Sequence, residues 1–74
     1  MPTPTEPNEV ASAVGARLRQ LRERRFLSQR DLAALAGVSQ TTIVNIESGR
    51  NRPHPSTLRR LAAALEVGPE ALVW

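Results

Sequence analysis

The chain has 74 residues, no cysteine and a net charge of +3 at pH 7, and all ten of its basic residues are arginine. That length holds one domain, which buries only about 60% of the surface its unfolded chain exposes, and the lack of cysteine excludes disulfide staples and thiolate metal sites. No apolar run approaches a membrane span and no signal-peptide pattern appears, so a cytoplasmic protein is expected, with a basic balance that favours a polyanionic partner.

Residues 1–8 begin MPTPTEP, and their prolines and lack of apolar residues after Met1 predict a disordered tail, with the single domain over 9–74. Val10, Val14, Leu18 and Leu21 then form one helical stripe, which predicts a helix from Glu9 to Arg25. Ser28 is an N-cap signal with Asp31 at capping-box spacing, and opens a helix from Gln29 to Ala36 with Leu32, Leu35 and Ala36 inward. Gly37 suits the left-handed residue that ends a helix, and Ser39 caps the next one, Gln40 to Ser48, which stops at Gly49. The segment RNRPHP reads as a loop, since two such prolines forbid a helix interior. Ser56 is expected to cap a fourth helix with Leu58, Leu61, Ala62 and Leu65 inward. Pro69 suits the first turn of a short fifth helix carrying Leu72, Val73 and Trp74. With no strand candidate, the fold class is all-α, a compact five-helix bundle.

The second and third helices, joined by a Gly-centred turn, have helix-turn-helix spacing. A small bundle with a tight turn has the same spacing, so the third helix must discriminate. With Ile43 at the centre of its buried side, Ile46 and Glu47 fall on the same side. Thr41, Asn45 and Ser48 face outward, and Gln40 and Thr42 lie on the flanks. This face is uncharged, short and built of poor helix formers, unlike the Lys, Glu and Arg of an ordinary solvated face. Gln and Asn can pair bidentately with adenine, and a Thr methyl can touch the thymine methyl. Gln40, Thr41, Thr42 and Asn45 are therefore the candidate base readers. Arg50, Asn51 and Arg52 follow the helix and Ser39 precedes it; all four are placed to take phosphates, as is Gln29 at a positive helix end.

Glu47 falls on the buried side, where a lone carboxylate is costly, so a cation is needed. Arg22 on the first helix is the chosen partner; the alternative is a partly exposed Glu47 whose carboxylate reaches water. No catalytic or metal-ligating set is visible. His54 sits in a Pro-flanked loop, the acids lack acid–base or metal spacing, and the serines suit caps. A protein without a cofactor, and not an enzyme, is expected. Phe26 and Trp74 are the aromatic residues, too few for a platform that stacks single-stranded bases.

The stretch from Leu18 to Leu65 resembles the lambda-repressor/Cro class of helix-turn-helix domains, also called the xenobiotic-response-element class. The matching pieces are LRQLRERR, LSQRDLAALAGVSQTTIVNIESGRNRP and LRRLAAALEV. The resemblance implies a five-helix bundle with its third helix in the major groove of double-stranded DNA. It implies a phosphate contact at Gln29, base reading at Gln40, Thr41, Thr42 and Asn45, an Arg22–Glu47 pair, and backbone contacts at Arg50 and Arg52. Phe26 departs from the pattern, standing where many members have Gly or a small polar residue. A bulky residue with positive φ is strained there. Either the turn differs, or Phe26 packs over the first helix or against a partner.

The function implied is a transcriptional regulator, a repressor or autoregulator, acting as a homodimer on half-sites about 34 Å apart or a multiple of that. Val67, Leu72, Val73 and Trp74 are the candidate dimer surface, with Trp74 as a lid on the monomer core as the alternative. A second reading is an antitoxin-type module that binds a toxin or regulator and its own promoter. No sensor segment is evident, so any signal is expected to arrive through a partner, a modification or abundance.

Overall fold

A computed structural model describes residues 7–73, with side chains from residue 13 onward. Its elements are α1 (Pro7–Arg24), α2 (Gln29–Ala36), α3 (Gln40–Glu47), α4 (Pro55–Ala64) and α5 (Glu70–Val73). No strand occurs among the described residues, and none of their helices is long and apolar enough to cross a membrane. The helices close a ring: α1 packs on α3 and α5, α2 on α3 and α4, and α4 on α5. Leu18, Leu32, Ile43, Ile46, Leu61, Leu65 and Leu72 are fully buried at its centre. Each such side chain contributes about 1.5–3 kcal/mol relative to exposure.

Several boundaries differ from the sequence expectation. The first helix begins at Pro7 rather than Glu9, since proline in a first turn forfeits no helical hydrogen bond. Of the tail expected over 1–8, residues 1–6 lie outside the described residues, as does the side chain of Val10 from the expected stripe. The fourth helix begins at Pro55 for the same reason; His54 precedes it in an extended conformation with no side-chain cap, so Ser56 lies inside the helix rather than capping it. Leu35 does not face inward but is 61% exposed, and α2 buries Leu32, Ala33 and Ala36 instead. That face is the expected stripe turned by part of a residue's step, set by where α4 packs on α2.

Four helix ends share one motif. In each, the first residue past the turn donates to a carbonyl three positions back, and the next donates to one five back. The pairs are Phe26 to Glu23 with Leu27 to Arg22, Gly37 to Ala34 with Val38 to Ala33, Gly49 to Ile46 with Arg50 to Asn45, and Glu66 to Ala63 with Val67 to Ala62. This Schellman pattern satisfies orphan carbonyls and needs a left-handed residue. Gly37 and Gly49 adopt it freely, whereas Phe26 and Glu66 do so with φ of 56° and 57°. In three of the four, an apolar residue follows and packs on the core: Leu27, Val38 and Val67. Phe26 thus takes the positive φ in an ordinary turn. It does not pack over α1, being 94% exposed.

Leu72, expected on a dimer surface, is instead 1% exposed in the core, and Val67 is half-buried against the same cluster. The reason is that α5 packs across α1 and α4 with Leu72 pointing inward. Val73 is 46% exposed, and Trp74 lies outside the described residues.

Gly15, in the middle of α1, is buried where α1 crosses the end of α3. A Cβ there would stand 2.1 Å from the carbonyl oxygen of Ile46 and 3.0 Å from that of Glu47. Gly15→Ala should therefore destabilise the fold by about 1–3 kcal/mol, as overpacking does. Helix propensity alone predicts the opposite sign, a gain of about 1 kcal/mol. Thermal unfolding followed by circular dichroism reads the sign directly, and an unchanged or raised melting temperature would show that α1 is not pressed against α3.

Candidate nucleic-acid interface

The interface is built on two eight-residue helices, each set by its cap. Isolated helices this short are unstable in water, so caps and packing hold them. At the start of α2 the Ser28 hydroxyl accepts from the Asp31 amide at 2.9 Å, and the Ser28 amide donates to the Asp31 carboxylate at 3.1 Å. This reciprocal capping box leaves the amides of Gln29 and Arg30 for an outside acceptor. The bond from the Ser28 amide, and after it the Ser28 side chain, hold the Asp31 carboxyl below its ordinary value of 3.8. At the start of α3 the Ser39 hydroxyl accepts from the Thr42 amide at 3.1 Å and pairs with the Thr42 hydroxyl at 2.8 Å.

The inner side of α3 is anchored by Ile43, Ile46 and a bidentate ion pair. Arg22 Nε donates to Glu47 Oε2 at 2.6 Å, and Arg22 Nη2 to Glu47 Oε1 at 3.0 Å. The side chains are 11% and 5% exposed. Arg22 Nη1 also donates to the Leu27 carbonyl at 2.7 Å, and Gln29 Nε2 donates to Glu47 Oε1 at 3.2 Å. One guanidinium and one carboxylate thus tie α1, the α1–α2 turn, the start of α2 and the end of α3 together. The hydrogen bond to Glu47 raises the Arg22 pKa against the opposing effect of burial, so the guanidinium stays charged.

The outer side presents the base-reading candidates. Gln40 and Thr41 are exposed, while Thr42 and Asn45 are half-buried. Among the described residues, the side chains of Gln40, Thr41 and Asn45 make no hydrogen bond, whereas the Thr42 hydroxyl is held by Ser39. Val44, not among those candidates, is 40% exposed on the same helix. Arg50, Asn51 and Arg52 are exposed beside it. Their loop is gathered onto the Asn45 carbonyl, which accepts from the amides of Arg50 and Asn51 at 3.0 and 3.3 Å and from the Ser48 hydroxyl at 3.1 Å. The structure therefore brings Gln29 to the ion pair and Ser39 to Thr42. It leaves Arg50, Asn51 and Arg52 turned to solvent.

Sequence reading missed two contributors to this geometry. One is Gly15, whose signal was a glycine inside an apolar helical stripe, where close approach is its usual reason. The other is the Leu27 carbonyl, a backbone acceptor with no sequence signal. No cluster of His, Asp or Glu among the described residues could hold a metal ion.

Two short capped helices around a left-handed glycine, with the second locked inside and polar outside, define a helix-turn-helix domain. Residues 13–73 match the family model described as a helix-turn-helix domain, and the chain belongs to this family, in its Cro/C1-type branch. It is 44% identical over 63 residues to RghRB of Bacillus subtilis, described as an uncharacterized HTH-type transcriptional regulator, covering 84% of this chain and 45% of that protein. It is 44% identical over 61 residues to the HTH-type transcriptional repressor RghR of the same organism, covering 81% of this chain and 45% of that protein. The restriction-modification controller protein C.AhdI from Aeromonas hydrophila superimposes with a TM-score of 0.82 at 34% identity, over 84% of this chain and 94% of that one. The chain spans about half the length of the two B. subtilis proteins.

Two stability predictions follow from the network. Arg22→Ala strands the Glu47 carboxylate and should cost about 3–5 kcal/mol, while Arg22→Met with Glu47→Leu should recover most of it. Urea unfolding of the three proteins tests this; equal stability of wild type and Arg22→Ala would mean that the pair is inert. For Asp31 the folded pKa is the depressed one, so its stabilisation is full above about pH 4 and lost as pH falls below it. Asp31→Ala should lower the melting temperature at pH 7, with the gap to wild type narrowing as pH falls below about 4. A gap independent of pH would contradict the capping role.

Proposed function

We propose that this chain binds double-stranded DNA with α3 in the major groove and regulates transcription as a homodimer. Gln40, Thr41, Thr42 and Asn45 read base edges. Gln29, Ser39, Arg50, Asn51 and Arg52 hold phosphates, helped by the open amides at the start of α2. The observation that carries this reading is the division of α3: the inner side is spent on Ile43, Ile46 and Glu47, and the outer side presents amide and hydroxyl groups of Gln40, Thr41 and Asn45 that are unengaged among the described residues. A stable fold has no use for such a face, because Thr, Asn and Val are weaker helix formers than Ala, Glu or Lys.

The names of the relatives support the regulatory half of the reading, one being described as a transcriptional repressor and another as a restriction-modification controller. Action by binding alone, without a cofactor, and a cytoplasmic site of action are parts of the same proposal. A single α3 touches only a few base pairs, so two copies on half-sites about one helical turn apart are needed for a useful site. Val73 is the described residue of the expected dimer surface that remains exposed.

The test is a set of binding titrations against a duplex selected from a random pool and against a scrambled duplex, each repeated over a range of salt. Asn45→Ala and Gln40→Ala should each weaken binding to the selected duplex by about 1–3 kcal/mol and leave the scrambled one little changed. Arg50→Ala should weaken both and reduce the salt slope by about one. Equal losses on both duplexes for Asn45→Ala would remove it from the base readers. Absence of any salt-sensitive duplex affinity in the wild type would overturn the function itself.

A further inference from the structure

Val44 is an anomaly on the outer side of α3. It is 40% exposed, and its position is about 100° around the helix from the buried Ile43. Its neighbours on that surface are Gln40 and Thr41 one turn before it and Ser48 one turn after it. Three hydrogen-bonding side chains thus surround an isopropyl group that has no hydrogen-bonding atom. The core does not need it: Ile43 and Ile46 fill the inner side of this helix. Helix stability does not ask for it either, since a β-branched residue in a solvated helical position is a poorer choice than Ala, Leu or Arg.

The chemistry of the groove narrows what such a group can read. Base edges in the major groove are hydrogen-bond donors and acceptors, with a single apolar feature, the C5-methyl of thymine. A phosphate gives an isopropyl group nothing. Accepting the reading of α3 as the base-reading helix, we infer that Val44 is a further specificity-determining residue, and that it packs its methyls on the C5-methyl of a thymine lying between the bases read by Gln40 and Thr41 and those read by Asn45. It selects that thymine by contact and by leaving the hydrogen-bonding edge of any other base unpaired beneath it.

Removing the methyl from the base and from the protein tests this as a cycle. Each thymine of the selected duplex is replaced in turn by deoxyuridine, which lacks the C5-methyl and keeps its pairing, and wild type and Val44→Ala are titrated on every duplex. At one thymine per half-site the wild type should lose about fourfold in affinity, the worth of one buried methyl. Val44→Ala should bind that pair of duplexes equally while keeping the wild-type melting temperature. If Val44→Ala shows the same deoxyuridine losses as wild type at every thymine, the inference is overturned and the base-reading function of α3 stands. If the wild type binds no duplex, the function itself is overturned, which is a separate and recognisable result.

Discussion

The contact between Arg22 and Glu47 organises this domain. A carboxylate that is 5% exposed is costly to bury without partners, and here it finds three donors: two guanidinium nitrogens and the Gln29 amide. The residues lie 25 positions apart in sequence, so closing the pair brings the last turn of α3 to the end of α1. The same guanidinium holds the Leu27 carbonyl and thereby the turn into α2. Burying such a pair is a weak source of net stability compared with apolar packing. Its value lies in geometry. A bidentate pair has one good arrangement, and α3 has little else of equal directionality to fix its rotation.

Around that anchor the helices are short and rely on their ends. With eight residues each, α2 and α3 gain little from their own hydrogen bonds. Both begin with a serine that satisfies a backbone amide, and both end in a left-handed residue that turns the chain. The same ending recurs after α1 and α4 with Phe26 and Glu66, where a side chain occupies a conformation that glycine takes without strain. The Arg25–Glu66 ion pair, 2.5 Å long, links those two strained turns across the surface. Both strained residues are followed by an apolar residue seated on the core, and that burial offsets the backbone cost.

The two sides of α3 do different work and obey different constraints. The inner side is sterically crowded, so that even a methyl at Gly15 would collide with its last carbonyls. Among the described residues, the side chains of Gln40, Thr41 and Asn45 on the outer side make no intramolecular hydrogen bond, the arrangement a surface needs if its hydrogen bonds belong to another molecule. Its flanks differ. Arg50 and Arg52 lie open to solvent, whereas Gln29 and Ser39 already serve the fold through Glu47 and Thr42. Any phosphate contact at the latter two positions shares a group that also stabilises the domain.

What was legible in the sequence was whatever rests on a few neighbouring residues. Ser28 with Asp31, Gly37, Ser39 and Gly49 mark element ends through local hydrogen bonding and local φ, so the order of the five helices and the polar outer face of α3 could be read directly. The apolar rotation of α2 could not, because the stripes through Leu35 and through Ala33 are both helical, and only the position of α4 chooses between them. Nor could the fate of Leu72, an apolar residue near the chain end that becomes core once α5 lies across α1 and α4. The need of Glu47 for a cation was local information. That the guanidinium would also take the Leu27 carbonyl depended on the path of the backbone in space, and a backbone carbonyl carries no mark of identity in the sequence.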